Sequence, residues 1–277
     1  MLSNFKRGVA AALAGLATTL LTSNAMAAWD ELNLPKGVTP ISREVYDLHM
    51  LMLWICVIIG IVVFGAMFIS MVLHRKAAGH EPAHFHHSTV AEIAWTIIPF
   101  AILVGFAIPA TKTLLFMEDT SEADITIKVT GYQWLWKYEY VEDGVSFYSS
   151  LAQSSREGIY GDPWAVENYL LEVDNPVVLP VGKKVRLLLT ADDVIHAWWV
   201  PALGQKKDAI PGFVNEIWTI IEEPGTYRGQ CAELCGKDHG FMPIVVEAKS
   251  DDEYKQWVAA YKAEQKTQLA AAPVASQ

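Results

Sequence analysis

Cysteine is scarce in this chain, with 3 residues in 277. None stands in a Cys-x-x-Cys-His string, which excludes a covalently attached haem c, and no oxygen-activating haem site is visible. Basic residues are also short: 21 Lys and Arg against 31 Asp and Glu give a net charge of −10. No nucleic-acid partner is expected, and no internal repeat is visible. Charged residues make up only 19% of the chain and hydrophobic ones 52%, too apolar for an ordinary soluble domain.

The apolar residues are clustered. Val9–Leu21 follows Lys6 and Arg7 and precedes Ala25-Met26-Ala27, the pattern of a cleaved secretory signal peptide covering residues 1–27. That run is too short for a membrane span, which needs roughly 20 residues. Leu51–Leu73 is charge-free and, at about 1.5 Å per residue, reaches about 34 Å. Ile93–Thr111 forms a second span, and its Pro99 and Pro109 are tolerated in membrane helices. Arg75 and Lys76 lie in the short connection and place it on the cytoplasmic side. Both ends of the mature chain therefore face outward. The expected limits are 28–118 for an N-terminal segment and two-helix transmembrane hairpin, 119–250 for an outer domain, and 251–277 for a C-terminal helix and tail.

From Glu118 onward there are 25 Asp and Glu against 14 Lys and Arg, so the acidity of the chain is concentrated outside. Such a surface keeps a domain soluble, and it also steers a cationic partner. Short runs at Asp124–Val129, Trp134–Tyr140, Tyr169–Val173, Lys184–Thr190, Glu216–Ile221, Gly225–Gln230 and Pro243–Ala248 predict strands of a sandwich or small barrel. Ser149–Ala165 reads as a long loop, and Asp251–Gln268 as a helix.

The string CAELCGKDHGFMP, Cys231 to Pro243, brings two thiols, an imidazole and a thioether together. Cys56 lies inside the first span and reads as packing. For Cys231 and Cys235 in an oxidising compartment, a disulfide is one reading. A Cys2His2 zinc site is another, and a single-copper site a third. Each leaves donors unused: a disulfide ignores His239 and Met242, zinc has no use for a thioether, and one copper needs one thiol. Two thiolates bridging two copper ions use them all. The second imidazole is then His196, the only other His of the outer domain, at the start of an aromatic strand. With Met242 and the Glu233 carbonyl the ligand count closes.

Further strings give a resemblance. Glu92-x-x-Trp-Thr-Ile-Ile-Pro99, Gly131-Tyr-Gln-Trp134-Leu-Trp-Lys-Tyr-Glu-Tyr140, Leu171-Glu-Val-Asp174-Asn175, Asp208-Ala-Ile-Pro-Gly212 and the loop Gly229–Pro243 stand in the order seen in subunit II of haem–copper cytochrome c oxidases. The chain resembles that family, in its bacterial aa3-like form, from Val45 to Tyr254. One departure is Phe213-Val214, where many relatives carry a basic residue. The resemblance implies a two-helix transmembrane hairpin plus an all-β, cupredoxin-like (Greek-key) domain, in the bacterial inner membrane with both termini and the copper domain periplasmic.

It also implies a dinuclear copper A centre held by His196, Cys231, Glu233 (carbonyl), Cys235, His239 and Met242. That centre accepts electrons from cytochrome c and passes them to haem in subunit I. There, oxygen reduction to water is coupled to proton translocation. Other oxidase subunits and membrane lipid complete the implied surroundings. Trp134 is the implied electron inlet, the Glu233 carboxylate a magnesium ligand at the subunit I boundary, and Glu92 the mouth of a proton pathway. Asp174, Asp192 and Asp193 match acids implied to dock the cytochrome. Tyr132, Trp136, Tyr138 and Tyr140 read as packing. His80, His84, His86 and His87 read as solvated loop residues rather than a metal site. The rival from another class is a membrane-anchored copper chaperone. It needs neither Met242, two spans, nor the strand around His196.

Overall fold

A computed structural model describes residues 33–79, 81 and 86–271. The expected signal peptide, His80, His84 and the last six residues lie outside the described residues. The chain divides into two compact units, Met1–Pro35 and Lys36–Gln277, and all the described helices and strands lie in the second.

Two long helices come first. Helix α1 spans Pro40–Leu73 and α2 spans Thr89–Met117. Each is longer than the charge-free run that announces it, because the cap lies further out. Thr39 Oγ1 accepts from the Ser42 N–H at 2.9 Å and Ser42 Oγ accepts from the Thr39 N–H at 3.0 Å, with Pro40 at the first helical position. Ser88 caps α2. At about 1.5 Å per residue the helices reach about 51 and 43 Å, more than the roughly 30 Å of a bilayer's apolar core. Their apolar side chains point outward: Ile61 is 68% exposed and Leu103 64%. With backbone bonds satisfied inside each helix, such a surface suits lipid, and the pair forms a membrane-spanning hairpin.

The top of α1 is stitched to the β domain. The Val38 N–H donates to the Ala202 carbonyl and the Thr39 hydroxyl to the Leu203 carbonyl, each at 3.0 Å. Arg43 clasps both oxygens of Glu222.

Ten strands build two five-stranded sheets. One has the order β3-β2-β1-β5-β8, from β1 (Ile125–Tyr132), β2 (Leu135–Tyr140), β3 (Val145–Ser149), β5 (Val185–Ala191) and β8 (Asn215–Thr219). The other has the order β4-β10-β9-β6-β7, from β4 (Val177–Pro180), β6 (His196–Val200), β7 (Gln205–Ala209), β9 (Gly225–Cys231) and β10 (Pro243–Lys249). Pairing is antiparallel except for β1 with β5 and β4 with β10. Alternation fixes which face is inside: Val185, Leu187, Leu189 and Ala191 of β5 are buried with polar or half-buried residues between them. The core adds Trp136, Tyr138, Tyr140, Trp198, Ile244 and Val246. Helix α4 (Asp251–Ala271) closes one end, with the Tyr254 hydroxyl donating to Asp143 at 2.6 Å.

Three expectations are corrected. Tyr169–Val173 is not a strand, since Asn168 and Leu170 have φ of 51° and 62°, which breaks an extended run. Ser149–Ala165 is not all loop, because it holds helix α3 (Gln153–Tyr160) and a 3-10 turn at Pro163–Ala165. Trp134 precedes β2 instead of opening it, and so sits in the β1–β2 turn. Strand β7, Gln-Lys-Lys-Asp-Ala, has no apolar alternation to betray it. It is an edge strand, where lysine discourages further pairing.

Candidate metal centre

The β9–β10 connection holds the cysteines. Cys231 ends β9, a 3-10 turn covers His239–Phe241, and Pro243 opens β10 opposite Gln230. Two backbone bonds shape the loop: the Cys231 N–H donates to the Met242 carbonyl, and the Ala232 N–H to the Ala197 carbonyl, both at 3.0 Å. The second bond reaches β6, which pairs with β9 so that Trp198 stands opposite Cys231. His196, two residues earlier on β6, is thereby carried to the loop from 35 residues away.

The side chains converge. Cys231 Sγ and Cys235 Sγ lie 3.9 Å apart and are not joined. His196 Nδ1 is 3.9 Å from Cys231 Sγ and His239 Nδ1 is 3.5 Å from Cys235 Sγ. The Glu233 carbonyl accepts from the Cys231 thiol at 3.4 Å. The ligand atoms of His196, Cys231 and Cys235 all fall within 4.8 Å of one another. His196, Cys231, Cys235 and Met242 are buried, while His239 and Glu233 are half-buried.

The two thiols have different surroundings. Burial raises the Cys231 pKa, but bonds with His196 and with the Glu233 carbonyl outweigh it and bring it down to about 7. Burial pushes Cys235 up to about 12, and the charge forming on Cys231 adds to it. One thiolate therefore forms readily and opposes the second, a conflict that a shared cation relieves.

A second ring of contacts aims these groups. His196 Nε2 donates to Asp193 Oδ1 at 2.9 Å, which leaves Nδ1 with its lone pair toward Cys231. Burial raises the Asp193 pKa, but this bond and the N–H groups of Val194 and Gln133 bring it below the usual carboxylate range. The His196 pKa is lowered by burial and raised more by Cys231 and Asp193. Asp193 Oδ2 takes the Gln133 N–H at 2.7 Å. The Gln133 amide and the Trp134 indole N–H both donate to the Cys235 carbonyl, at 2.8 and 3.3 Å. Two glycines allow this closeness. A β-carbon on Gly131 would lie 2.8 Å from the His196 ring, and one on Gly236, whose φ is +123°, 3.0 Å from both Gln133 and Trp134.

Of the other sequence-derived candidates, Trp134 is thus beside the centre. Asp192 is exposed, while Asp174 holds the Ser150 N–H and hydroxyl and the Asn175 N–H. Glu92 lies in the first turn of α2, 25 residues before the end nearest the sheets, or about 38 Å away along the helix. His86 and His87 are exposed. Gln133 and Gly236 carry no spacing signal, so their part was not legible in the sequence.

The family described as cytochrome C oxidase subunit II, periplasmic domain, matches residues 125–249, and its transmembrane domain matches residues 27–113. A Rickettsia bellii protein named "Probable cytochrome c oxidase subunit 2" is 42% identical over 83% of this chain and 83% of its own. This chain belongs to the cytochrome c oxidase subunit II family. The subunit 2 of Cyanidium caldarium is 37% identical over 82% of this chain and 89% of its own. The periplasmic domain of subunit II from Bradyrhizobium japonicum is 44% identical and covers 52% of this chain and 98% of that one, with a TM-score of 0.47. As a subunit II, the chain is a membrane-bound part of a terminal oxidase, and its family supports a role in electron uptake.

Proposed function

We propose that His196, Cys231, Cys235, His239, Met242 and the Glu233 carbonyl hold a dinuclear copper A centre that takes electrons from cytochrome c for haem in subunit I. One observation carries this reading: two unjoined thiols lie side by side, each with its own imidazole. Two sulfurs 3.9 Å apart are close enough that both would hold the same ions. A disulfide is disfavoured by that separation. A single zinc leaves buried Met242 without a role.

When bound, the copper pair supplies a one-electron carrier with its charge spread over both ions. The protein limits rearrangement around that change. Strands β6, β9 and β10 fix the donors, and Asp193 locks the His196 ring. Trp134, half-buried and bonded to the Cys235 carbonyl, offers the inlet from the donor surface. All three docking acids are exposed, and Asp192, whose carboxylate accepts no hydrogen bond among the described residues, is the strongest for steering a lysine-rimmed cytochrome. Asp174 and Asp193 add to that field while also holding local backbone. The Glu233 carboxylate suits a hard cation such as magnesium at the subunit I boundary. Glu92 is assigned to proton uptake, on the side of the membrane away from the copper domain. The copper domain is periplasmic and the membrane the bacterial inner membrane.

The test is metal content. The full chain, purified in mild detergent and loaded with copper, is expected to bind two coppers per chain and give a mixed-valence paramagnetic spectrum. One exchangeable copper would favour the chaperone, and a Cys231–Cys235 disulfide resistant to loading would overturn both.

A further inference from the structure

Where the hairpin meets the sheets, the two long helices do not close on each other. Glu44, Asp47 and Leu51 of α1 stand at i, i+3 and i+7, and Pro109, Lys112 and Phe116 of α2 repeat that spacing. The two faces line one cavity of about 400 Å³. Buried Thr113 links them across its edge, its hydroxyl donating to Glu44 at 3.5 Å. Among the described residues, neither Asp47 nor Lys112 forms an ion pair.

Depth in the membrane follows from the sequence. Lys112 lies 20 residues beyond Glu92, about 30 Å along α2, which is the thickness of the apolar core. No Asp, Glu, Lys or Arg occurs between Asp47 and the end of α1. The cavity therefore sits at headgroup level, with Leu51 and Pro109 on its membrane side, Phe116 toward the sheets, and two carboxylates and one ammonium around it. Lys112 at that level meets lipid phosphate, as cationic side chains near helix ends do. The two acids are unusual there, because they repel phosphate. They fit a headgroup that carries a cation beyond its phosphate and can donate hydrogen bonds from it.

We infer that this cavity binds a phospholipid with a primary-amine headgroup, phosphatidylethanolamine. Its ammonium donates to Glu44 and Asp47, its phosphate faces Lys112, and its acyl chains follow the outward apolar sides of the helices. Phosphatidylglycerol presents no cation to the acids. Phosphatidylcholine has the cation but no N–H to donate. The site is independent of the metal reading.

The test uses the full chain in nanodiscs or mild detergent, with lipid retained per chain counted by native mass spectrometry. Phosphatidylethanolamine, phosphatidylglycerol and phosphatidylcholine are supplied in turn. The expected result is one tightly held phosphatidylethanolamine, not displaced by the other two. Combined Glu44→Gln and Asp47→Asn should weaken it at least about tenfold, as expected for losing charge-assisted bonds. Lys112→Gln should weaken it as well, while Lys112→Arg keeps the charge and retains the lipid. Equal retention of phosphatidylglycerol, or unchanged retention in the double variant, would overturn the inference. So would a photo-crosslinker at position 112 that labels a protein subunit in the assembled oxidase.

Discussion

The hairpin and the sheets obey one rule in opposite senses. Within the membrane spans of α1 and α2 most isoleucines, leucines and phenylalanines lie on the outside, whereas Ile127 of β1, Leu187 and Leu189 of β5 and Ile244 of β10 are fully enclosed. Backbone bonds within each helix leave its side chains free to meet lipid. The strands must pair with one another and stack two layers before anything is covered. Identical chemistry thus yields an inside-out element and an outside-in one, and only the second can hold a rigid polar site away from solvent.

The largest break between the two regions is expected from Cys235→Ser. Copper content should fall from two per chain to at most one and the mixed-valence spectrum should vanish, while protease protection of the hairpin in vesicles stays unchanged. Next come paired truncations. Leu187→Ala in the core should destabilise the sheets by about 2–5 kcal/mol in chemical unfolding. Lipid-facing Ile61→Ala should leave that transition within about 0.5 kcal/mol. Alkali should also separate the regions. Burial holds the hydroxyls of Tyr138, Tyr140 and Tyr254 well above their ordinary range near pH 10. Above about pH 10 the unfolded chain releases these protons while the folded one keeps them, so stability present at lower pH is lost as pH rises. The melting temperature of the sheets should drop there, and Tyr254→Phe should flatten the slope.

A smaller and more local effect is expected from Gly236→Ala, at about 1–3 kcal/mol of strain. It should shift Trp134 fluorescence and slow oxidation of the cytochrome, but not oxidation of a small artificial reductant. The smallest effect is expected at the junction. Arg43→Ala removes a half-exposed ion pair, so a change of about 0–1 kcal/mol in unfolding is expected.

The sequence made the hairpin legible because a charge-free run of some twenty residues has few meanings, and the metal loop because four soft donors crowd into twelve positions. His196 was reachable only by counting ligands, since no local pattern marks it. Strand β7 was hidden by its lysines. The Tyr169–Val173 run misled because apolar content was read without backbone twist: Asn168 and Leu170 turn the chain there. For Asp193 the sequence offers only a docking role, because its bond to His196 depends on how β6 begins. What the sequence lacks is a contact between distant segments for His196, and local backbone geometry for Tyr169–Val173 and Asp193.

The stitch between residues 38–39 and 202–203 bears on how the copper-bearing portion is handled in the laboratory. A soluble fragment cut away behind α2 loses the lid over the Ala202 and Leu203 carbonyls, leaving two acceptors bare beside Glu222, which has lost its guanidinium. Such a fragment would present a face that the intact chain never shows to water, prone to self-association or to capture of a stray peptide. Adding back a short segment that includes Gly37–Arg43 should restore monomeric behaviour in sedimentation.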